Sequence, residues 1–133
     1  MLEKGIKGTG ETVVTETLTA KAMGSGELSV YATPAMIALM EETAYKSVSA
    51  ELEGGAGSVG TLMNVEHVSA SPVGMKITCK SELLEVDGRR LVFSVEAYDE
   101  KGLIGKGRHE RFIIKNEKFQ KKAEEKLEQR SCE

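Results

Sequence analysis

The chain has no tryptophan and only three phenylalanines and three tyrosines among its 133 residues. So few aromatics cannot build a base-stacking platform for single-stranded nucleic acid. Positive charge is not in excess either, since 18 Lys and Arg stand against 21 Asp and Glu, a formal net charge of −3. No global basic field therefore recruits a nucleic-acid backbone or an anionic membrane. The two cysteines, Cys79 within an expected strand and Cys132 in the tail, form no CxxC pair and no disulfide framework. They read as free thiols of a reducing compartment. No apolar run reaches transmembrane length, and Met1-Leu2-Glu3-Lys4-Gly5 lacks the apolar segment of a secretory signal. The expected location is the cytoplasm. Neither His–Cys nor carboxylate spacing matches a metal site. The glycine runs at 54–57 and 102–105 have no strand-to-helix turn around them, so they are not phosphate fingerprints. What remains is an ordinary soluble composition, 40% apolar and 29% charged, sized for a single domain spanning residues 1–133. A chain of this length buries roughly two-thirds of its unfolded surface, enough for a core without covalent staples.

The most informative stretch that is present runs from Ala32 to Tyr45. Thr33 is placed to N-cap a helix, and Pro34 suits the first helical turn, where its missing N–H costs nothing. Met36, Ile37, Met40, Ala44 and Val48 recur at three- and four-residue steps, so one face of that helix is expected to be buried. Glu41 follows Thr33 by a little over two turns, so the two lie within about 80° of each other around the axis. Hydroxyl and carboxylate are thus expected to look into one cleft.

Along the rest of the chain, the β-branched segment 11–19 reads as a first strand, and 20–29, with Gly24-Ser25-Gly26, as a short loop. The helix should run from Pro34 to about Leu52 and end at the glycines of 53–57. Four strands follow, at 58–70, 75–86, 91–98 and 103–115, joined by Ser71-Pro72-Val73-Gly74, Asp87-Gly88 and Asp99-Glu100-Lys101-Gly102. In the first of the four, Val59, Thr61, Met63, Val65 and His67 alternate onto one face. In the last, Gly105 and Gly107 share a face with His109 and Arg111, and paired glycines there mark close approach by another backbone or a ligand. The tail, 116–133, places Phe119, Ala123 and Leu127 at helical spacing and reads as a terminal amphipathic helix. Consecutive hairpins imply an antiparallel sheet of about five strands carrying one long helix, an α+β domain.

This order resembles the hot-dog fold, a long central helix wrapped by a curved antiparallel sheet, over nearly the whole chain. The runs Ala32-Thr33-Pro34-Ala35-Met36, Leu39-Met40-Glu41, Gly57-Ser58-Val59-Gly60-Thr61, Val65-Glu66-His67, Val86-Asp87-Gly88-Arg89-Arg90-Leu91 and Gly107-Arg108-His109-Glu110-Arg111 resemble the fluoroacetyl-CoA thioesterase-like family. The resemblance implies an acyl-CoA thioesterase acting on a small acyl group, with CoA as part of the substrate and no metal or organic cofactor. It implies Thr33, Glu41 and His67 as the catalytic set, Gly60 backbone at the substrate carbonyl, and Arg111, with His109, at the substrate. It also implies a homodimer with its active sites at the interface, a dimer of dimers remaining open. One departure stands out: the fluoroacetate-specific member carries a longer, Phe-containing lid before the helix, where this chain has only the Gly24-Ser25-Gly26 connection. A broader or different acyl preference is therefore expected.

Thioester hydrolysis needs a hydrolytic oxygen, proton transfer, and donors for the developing oxyanion. Glu41 can act as general base on water or attack directly to give a mixed anhydride, and sequence leaves both open. Flanked by Leu39 and Met40, it is expected to be partly desolvated and more basic, whereas Glu42 reads as solvated helix surface. His67 is expected to shuttle a proton near neutral pH, although its pattern alone fits a core or rim histidine. For Arg111 three roles stay open: CoA pyrophosphate, closure of the acyl pocket, or an ion pair with Glu110 or a helix carboxylate. Arg89-Arg90 reads mainly as a solvated turn. Outside thioester hydrolysis, an acyl-CoA binding module without turnover and a hydratase or dehydratase on the same fold are the rival readings.

Overall fold

The computed structural model describes residues 1–131, with side chains through Glu128, so Cys132 lies outside the described residues. Its elements are β1 (Lys7–Val13), a 3-10 turn (Glu16–Leu18), one helical turn α1 (Ala20–Met23), α2 (Thr33–Val48) and a second 3-10 turn (Ser49–Glu51). Then come β2 (Ala56–His67), β3 (Lys76–Asp87), β4 (Arg90–Asp99), β5 (Gly102–Lys115) and α3 (Asn116–Ser131). The strands form one antiparallel sheet in the order β1-β3-β4-β5-β2, leaving β1 and β2 at its edges. This is the expected α+β architecture, with α2 laid on the sheet.

α2 buries Ala35, Met36, Leu39, Met40, Thr43, Ala44 and Val48 against Ile77, Cys79 and Leu83 of β3, Leu91, Phe93, Val95 and Ala97 of β4, and Ile104 of β5. Each large apolar side chain removed from water contributes about 1.5–3 kcal/mol, so this seam fixes where α2 can lie. The buried stripe differs slightly from the expected one: Ile37 is only half-buried, and Leu39 and Thr43 take its place. Buried Thr43 satisfies its hydroxyl by donating to the Leu39 carbonyl at 2.7 Å.

Sequence places the first strand at 11–19, but β1 runs from Lys7 to Val13. The reason lies in Gly8 and Gly10, which count against a strand by propensity. A Cβ at Gly8 would sit 2.7 Å from Ser81 Oγ and 2.8 Å from the Thr43 carbonyl, and one at Gly10 would collide with the Thr43 hydroxyl. Glycine is what lets β1 cross α2 this closely. The loop expected at 20–29 contains α1, capped by the Thr19 side chain accepting from Ala22 N at 3.1 Å. α2 stops at Val48 rather than Leu52 and tightens into the 3-10 turn, and the left-handed glycine, Gly55 (φ 83°), sits in the turn before β2.

The strand expected at 58–70 is β2, Ala56–His67, and a bulge breaks its simple alternation. Gly60 pairs with Arg111 while Leu62 pairs with Glu110, so Thr61 is the extra residue. One inserted residue reverses which side chains face the helix. Gly60 faces α2 before the bulge, and Met63, Val65 and His67 face it afterwards, so Val59 and Thr61 leave the face that alternation assigns them. The tail helix forms as expected, with Phe119 and Leu127 exposed. Among the described residues, no helix is long and apolar enough to cross a membrane.

Candidate active site

The segment 30–32 is pinned on both sides before α2 begins. Tyr31 N donates to the Ser71 carbonyl at 2.8 Å, Ala32 N donates to the Leu18 carbonyl at 2.9 Å, and Val30 bridges to Pro72. Ser71 is itself fixed by donating its hydroxyl to Asp99 Oδ2 at 2.8 Å. The N-cap is Ala32, not Thr33, and no side chain caps the helix. That correction matters chemically, because Thr33 opens the helix with its hydroxyl free for another partner.

The partner is His67, whose Nδ1 lies 2.8 Å from Thr33 Oγ1. With the ring proton on Nε2, the Thr33 hydroxyl donates to Nδ1 and its oxygen gains electron density. His67 Nε2 is buried and has no hydrogen-bond partner. Burial lowers the pKa of this imidazole below its usual value, opposed by the backbone at Ser69. The neutral ring is thereby favoured, as proton acceptance requires. The Tyr31 ring stands edge-on to His67, with centroids 6.4 Å apart, and burial keeps the phenol protonated well above its ordinary range. A cavity of about 270 Å³ opens here, lined by Ala20, Ser25, Val30, Tyr31, Thr33 and His67 with residues 68–70. First-turn N–H groups of a helix have no intrahelical acceptor, so the start of α2 offers donors and a positive dipole end to a developing anion.

Glu41 belongs to a second cluster. A Cβ at Gly60 would lie 2.7 Å from Glu41 Oε2 and 3.2 Å from His109 Cε1, which places the Glu41 carboxylate directly over the Gly60 backbone. Arg111 Nη1 approaches Glu41 Oε2 at 3.5 Å. The other donors of Arg111 are committed: Nε donates to Ser58 Oγ at 2.7 Å, Nη2 to the Ser58 carbonyl at 2.8 Å, and Nη1 to His109 Nε2 at 3.1 Å. Its guanidinium also rests 5.5 Å from the Tyr45 ring centroid. His109 is fully buried, stacks on Phe93 and donates from Nδ1 to the Leu62 carbonyl at 2.9 Å. Because a carbonyl only accepts and Arg111 only donates, His109 is neutral with its proton on Nδ1. Burial, the Leu62 carbonyl and Arg111 act on its pKa in that order, with a net lowering.

The geometry therefore sorts the expected site residues. Thr33 and His67 come together, as do Gly60, Glu41, His109 and Arg111. Thr33 and Glu41 do not share one cleft within a single chain, since eight residues of helix separate them by about 12 Å along the axis. Of the two ion pairs open for Arg111, the one with the helix carboxylate forms, and Glu110 is held instead by Arg90 and Arg108 at 2.9 Å each. His109 is buried beside Arg111, its Nε2 accepting from Nη1. The Glu41 side chain is 42% exposed, more open than its apolar neighbours suggest. Sequence reasoning missed Ser58, Tyr45 and Tyr31. The last had a readable signal in its position two residues before Thr33, whereas Ser58 is recognisable only once the β2–β5 register is known.

The fold and the paired clusters define a hot-dog protein of the thioesterase superfamily. More particularly, residues 14–117 match the fluoroacetyl-CoA-specific thioesterase family, and the chain belongs to it. A fluoroacetyl-CoA thioesterase from Streptantibioticus cattleyicolor is 43% identical over 97 residues, covering 73% of this chain and 70% of that protein. A thioesterase superfamily member from Thermus thermophilus superposes with a TM-score of 0.91 at 30% identity, over 100% of this chain and 98% of that one. A mutant of the fluoroacetyl-CoA-specific thioesterase, solved with fluoroacetate and CoA, gives a TM-score of 0.84 at 36% identity, over 89% of this chain and 99% of that one.

Proposed function

We propose that this chain is a cytoplasmic acyl-CoA thioesterase that cleaves a small acyl thioester into free acid and CoA, without metal or organic cofactor, at a site shared by two copies. The observation that carries the reading is the Thr33–His67 hydrogen bond beside a cavity at the start of α2, with Glu41 held over the Gly60 backbone on the same helix–strand seam. Membership of a thioesterase family supports the hydrolytic chemistry, and the related structure with fluoroacetate and CoA supports the substrate class.

The homodimer is supported by the free edge of β2, 12 residues long, with Leu62 42% exposed. A long edge of this kind pairs readily with a second copy, and a twofold axis makes that pairing antiparallel. Antiparallel β2 strands set the Gly60 end of one copy beside the partner's His67. Glu41 of one copy then faces the partner's Thr33 and the partner's His67, which removes the separation of about 12 Å along α2.

In such a site the thioester carbonyl sits between the Gly60 backbone and the first turn of the partner's α2, whose N–H groups take up oxyanion charge. Water attacks the carbonyl carbon while Glu41 accepts its proton. Collapse of the tetrahedral intermediate breaks the C–S bond, and the proton passes to the departing CoA sulfur, with the partner's His67 as relay. Direct attack by Glu41, giving a mixed anhydride that water then opens, uses the same geometry.

A panel of acyl-CoAs with a free-thiol readout tests the activity. Turnover of a short or small substituted acyl-CoA, unaffected by chelator, is expected; no turnover across the panel would leave a binding module. The shared site has its own test in mixed dimers of Glu41→Gln and His67→Ala. Re-associated at equal amounts, half the dimers are mixed and each regains one intact site, so activity should return to about a quarter of wild type. Sites contained within single chains would give no recovery.

A further inference from the structure

Five basic side chains meet a carboxylate among the described residues, one of them Arg111 at Glu41. Lys46 meets Glu42, Lys76 meets Glu11, and Arg90 and Arg108 share Glu110. Four of the others gather in one place. Where the β3–β4 hairpin meets the end of β5 and the start of α3, a cavity of about 320 Å³ is lined by Arg89, Ile114, Lys115, Lys118, Phe119 and Lys122. Four of those six side chains are cationic and none is acidic. Among the described residues, none of the four forms an ion pair with a carboxylate.

The arrangement is held by the fold. The Arg89 carbonyl accepts from Ile113 N at 2.8 Å, and the guanidinium lies 5.3 Å from the Phe112 ring centroid. Lys115, Lys118, Phe119 and Lys122 recur at three- and four-residue spacing, which puts them on one side of α3 and its entry. Arg90, the neighbour of Arg89, is spent on Glu110, so the two arginines of the hairpin do different work. Carboxylates stand on the flanks: Glu53 and Glu117 line an adjoining depression that shares Lys115 and Lys118, and Glu51 and Glu53 line another that shares Arg89 and Lys115, so the acid-free part of the cleft is the side at Phe119 and Lys122. Gathering four like charges in a chain of net charge −3 is unfavourable unless an anion neutralises them.

We propose that this cleft binds the phosphates of the CoA nucleotide, a deepening that rests on the thioesterase reading. A terminal monophosphate carries about −1.5 to −2 at pH 7, and the adjacent pyrophosphate adds more, which suits four unpaired cations. Phe119, 46% exposed, supplies a face for the adenine. A single nucleotide fits the volume, whereas a polynucleotide has neither the basic field nor the aromatic surface it needs elsewhere on the chain.

Distance decides which active centre the cleft serves. Lys115 pairs with Ala56, eleven residues from His67, which is about 36 Å along β2 and out of reach within one chain. Gly60 is only four residues from Ala56, about 13 Å. A pantetheine arm, comparable to four or five extended residues, reaches about 15 Å. The nucleotide therefore lies on the copy that supplies Glu41 and Gly60, and the acyl group lies toward the partner's Thr33.

The test combines binding and kinetics in the full-length chain. Calorimetry with adenosine 3′,5′-bisphosphate should show affinity falling about tenfold or more in Arg89→Gln/Lys118→Gln/Lys122→Gln, with the salt dependence flattened. KM for the best acyl-CoA should rise to match, while the N-acetylcysteamine thioester of the same acyl group, which has no phosphate, should be hydrolysed as by wild type. Equal bisphosphate affinity in variant and wild type would overturn the proposal, as would a parallel loss on both thioesters. Lys118→Gln/Lys122→Gln, confined to exposed helix positions, gives a second variant should the triple one fail to fold. Bisphosphate binding that is lost in the variants of a chain with no thioester turnover would uphold the anion site and overturn the hydrolase reading instead.

Discussion

The two ends of the α2–β2 seam are built on opposite terms. At the Thr33 end one hydrogen bond joins Thr33 to His67, the other imidazole nitrogen has no partner, and a cavity adjoins both. At the Glu41 end, by contrast, Arg111 and His109 are buried and each polar atom of the pair is committed to Ser58, Leu62, Glu41 or the other. Unmet hydrogen-bonding capacity in a buried group costs free energy, and beside a cavity it leaves room for a bound group to complete it. Saturated networks do the reverse and hold a single geometry. The Thr33 end thus keeps hydrogen-bonding capacity open beside a cavity, and the Arg111 end has its own committed.

The largest expected effect breaks the chemistry at either end. Glu41→Gln or His67→Ala should lower kcat by about two orders of magnitude or more, as for a lost acid–base group. Glu42→Gln should change little, because Glu42 is exposed and meets only Lys46, at 3.7 Å. Steady-state kinetics on the best acyl-CoA checks this. Equal losses at positions 41 and 42 would mean that the choice of carboxylate is wrong.

Next in size is the anchor itself. Arg111→Met keeps the length of the side chain but strips the Ser58 carbonyl and His109 Nε2 of their donor in a buried setting. Leaving such groups unsatisfied should cost about 2–4 kcal/mol, read as a lower urea midpoint at unchanged slope. Arg111→Lys should recover little, since one ammonium cannot reproduce the planar fork. The same change at Arg108, exposed and at the far side of β5, should fall within about 0.5 kcal/mol. A stable Arg111→Met protein with Glu41-like loss of kcat would make Arg111 part of the chemistry rather than its support.

How far these contrasts were legible in sequence follows from their physical scale. Element order, hairpin turns and the apolar helix could be read because each is local, set by periodicity and turn chemistry. β1 was misplaced because Gly8 and Gly10 argue against a strand until the crossing of α2, a tertiary contact, gives them a reason. The Thr61 bulge was invisible for the same cause, and with it the faces of Val59 and Thr61. At the candidate site, Thr33, Glu41, His67 and Gly60 are singled out by resemblance, but their grouping in space is not. Helical angle placed Thr33 near Glu41, whereas axial rise and the strand running alongside pair each with a different partner.

A smaller effect separates the two histidines by pH. Burial is the leading cause of the lowered pKa at both His67 and His109. For catalysis, the acidic limb of kcat/KM should therefore fall below the ordinary histidine value of about 6.5. For stability, an unfolded chain binds more protons than the folded one between the depressed values and about 6.5, so stability falls as pH drops through that window. His67→Gln should remove the limb and only part of the stability slope, and the remainder belongs to His109. An acidic limb above about 7 would show that the His67 pKa is raised rather than lowered, and a basic limb lost in His67→Gln would show that the protonated ring is the working form.

The least discrimination is expected in acyl selection, at the open end of the seam. Related proteins are named for fluoroacetyl-CoA, so the comparison is direct. Here the connection from β1 to α2 folds as α1, yet its apolar contribution is small: Met23 is 44% exposed, and neither Ala22 nor Met23 lines the cavity. Even fully buried, those two side chains would contribute about 2–3 kcal/mol at most. From residues 20–29 the cavity wall takes only Ala20 and Ser25, with Val30 and Tyr31 following just before α2, and no phenylalanine. A wall of that kind separates close isosteres by about 10- to 200-fold at best, and replacing one hydrogen by fluorine is a smaller change than adding a methylene. The kcat/KM ratio for fluoroacetyl- over acetyl-CoA should accordingly stay below about 100. Measured side by side on one preparation, a ratio in the many thousands would overturn this. It would mean that selectivity resides in the Thr33–His67 chemistry or in what a second copy lays over the cavity, not in the segment that precedes the helix.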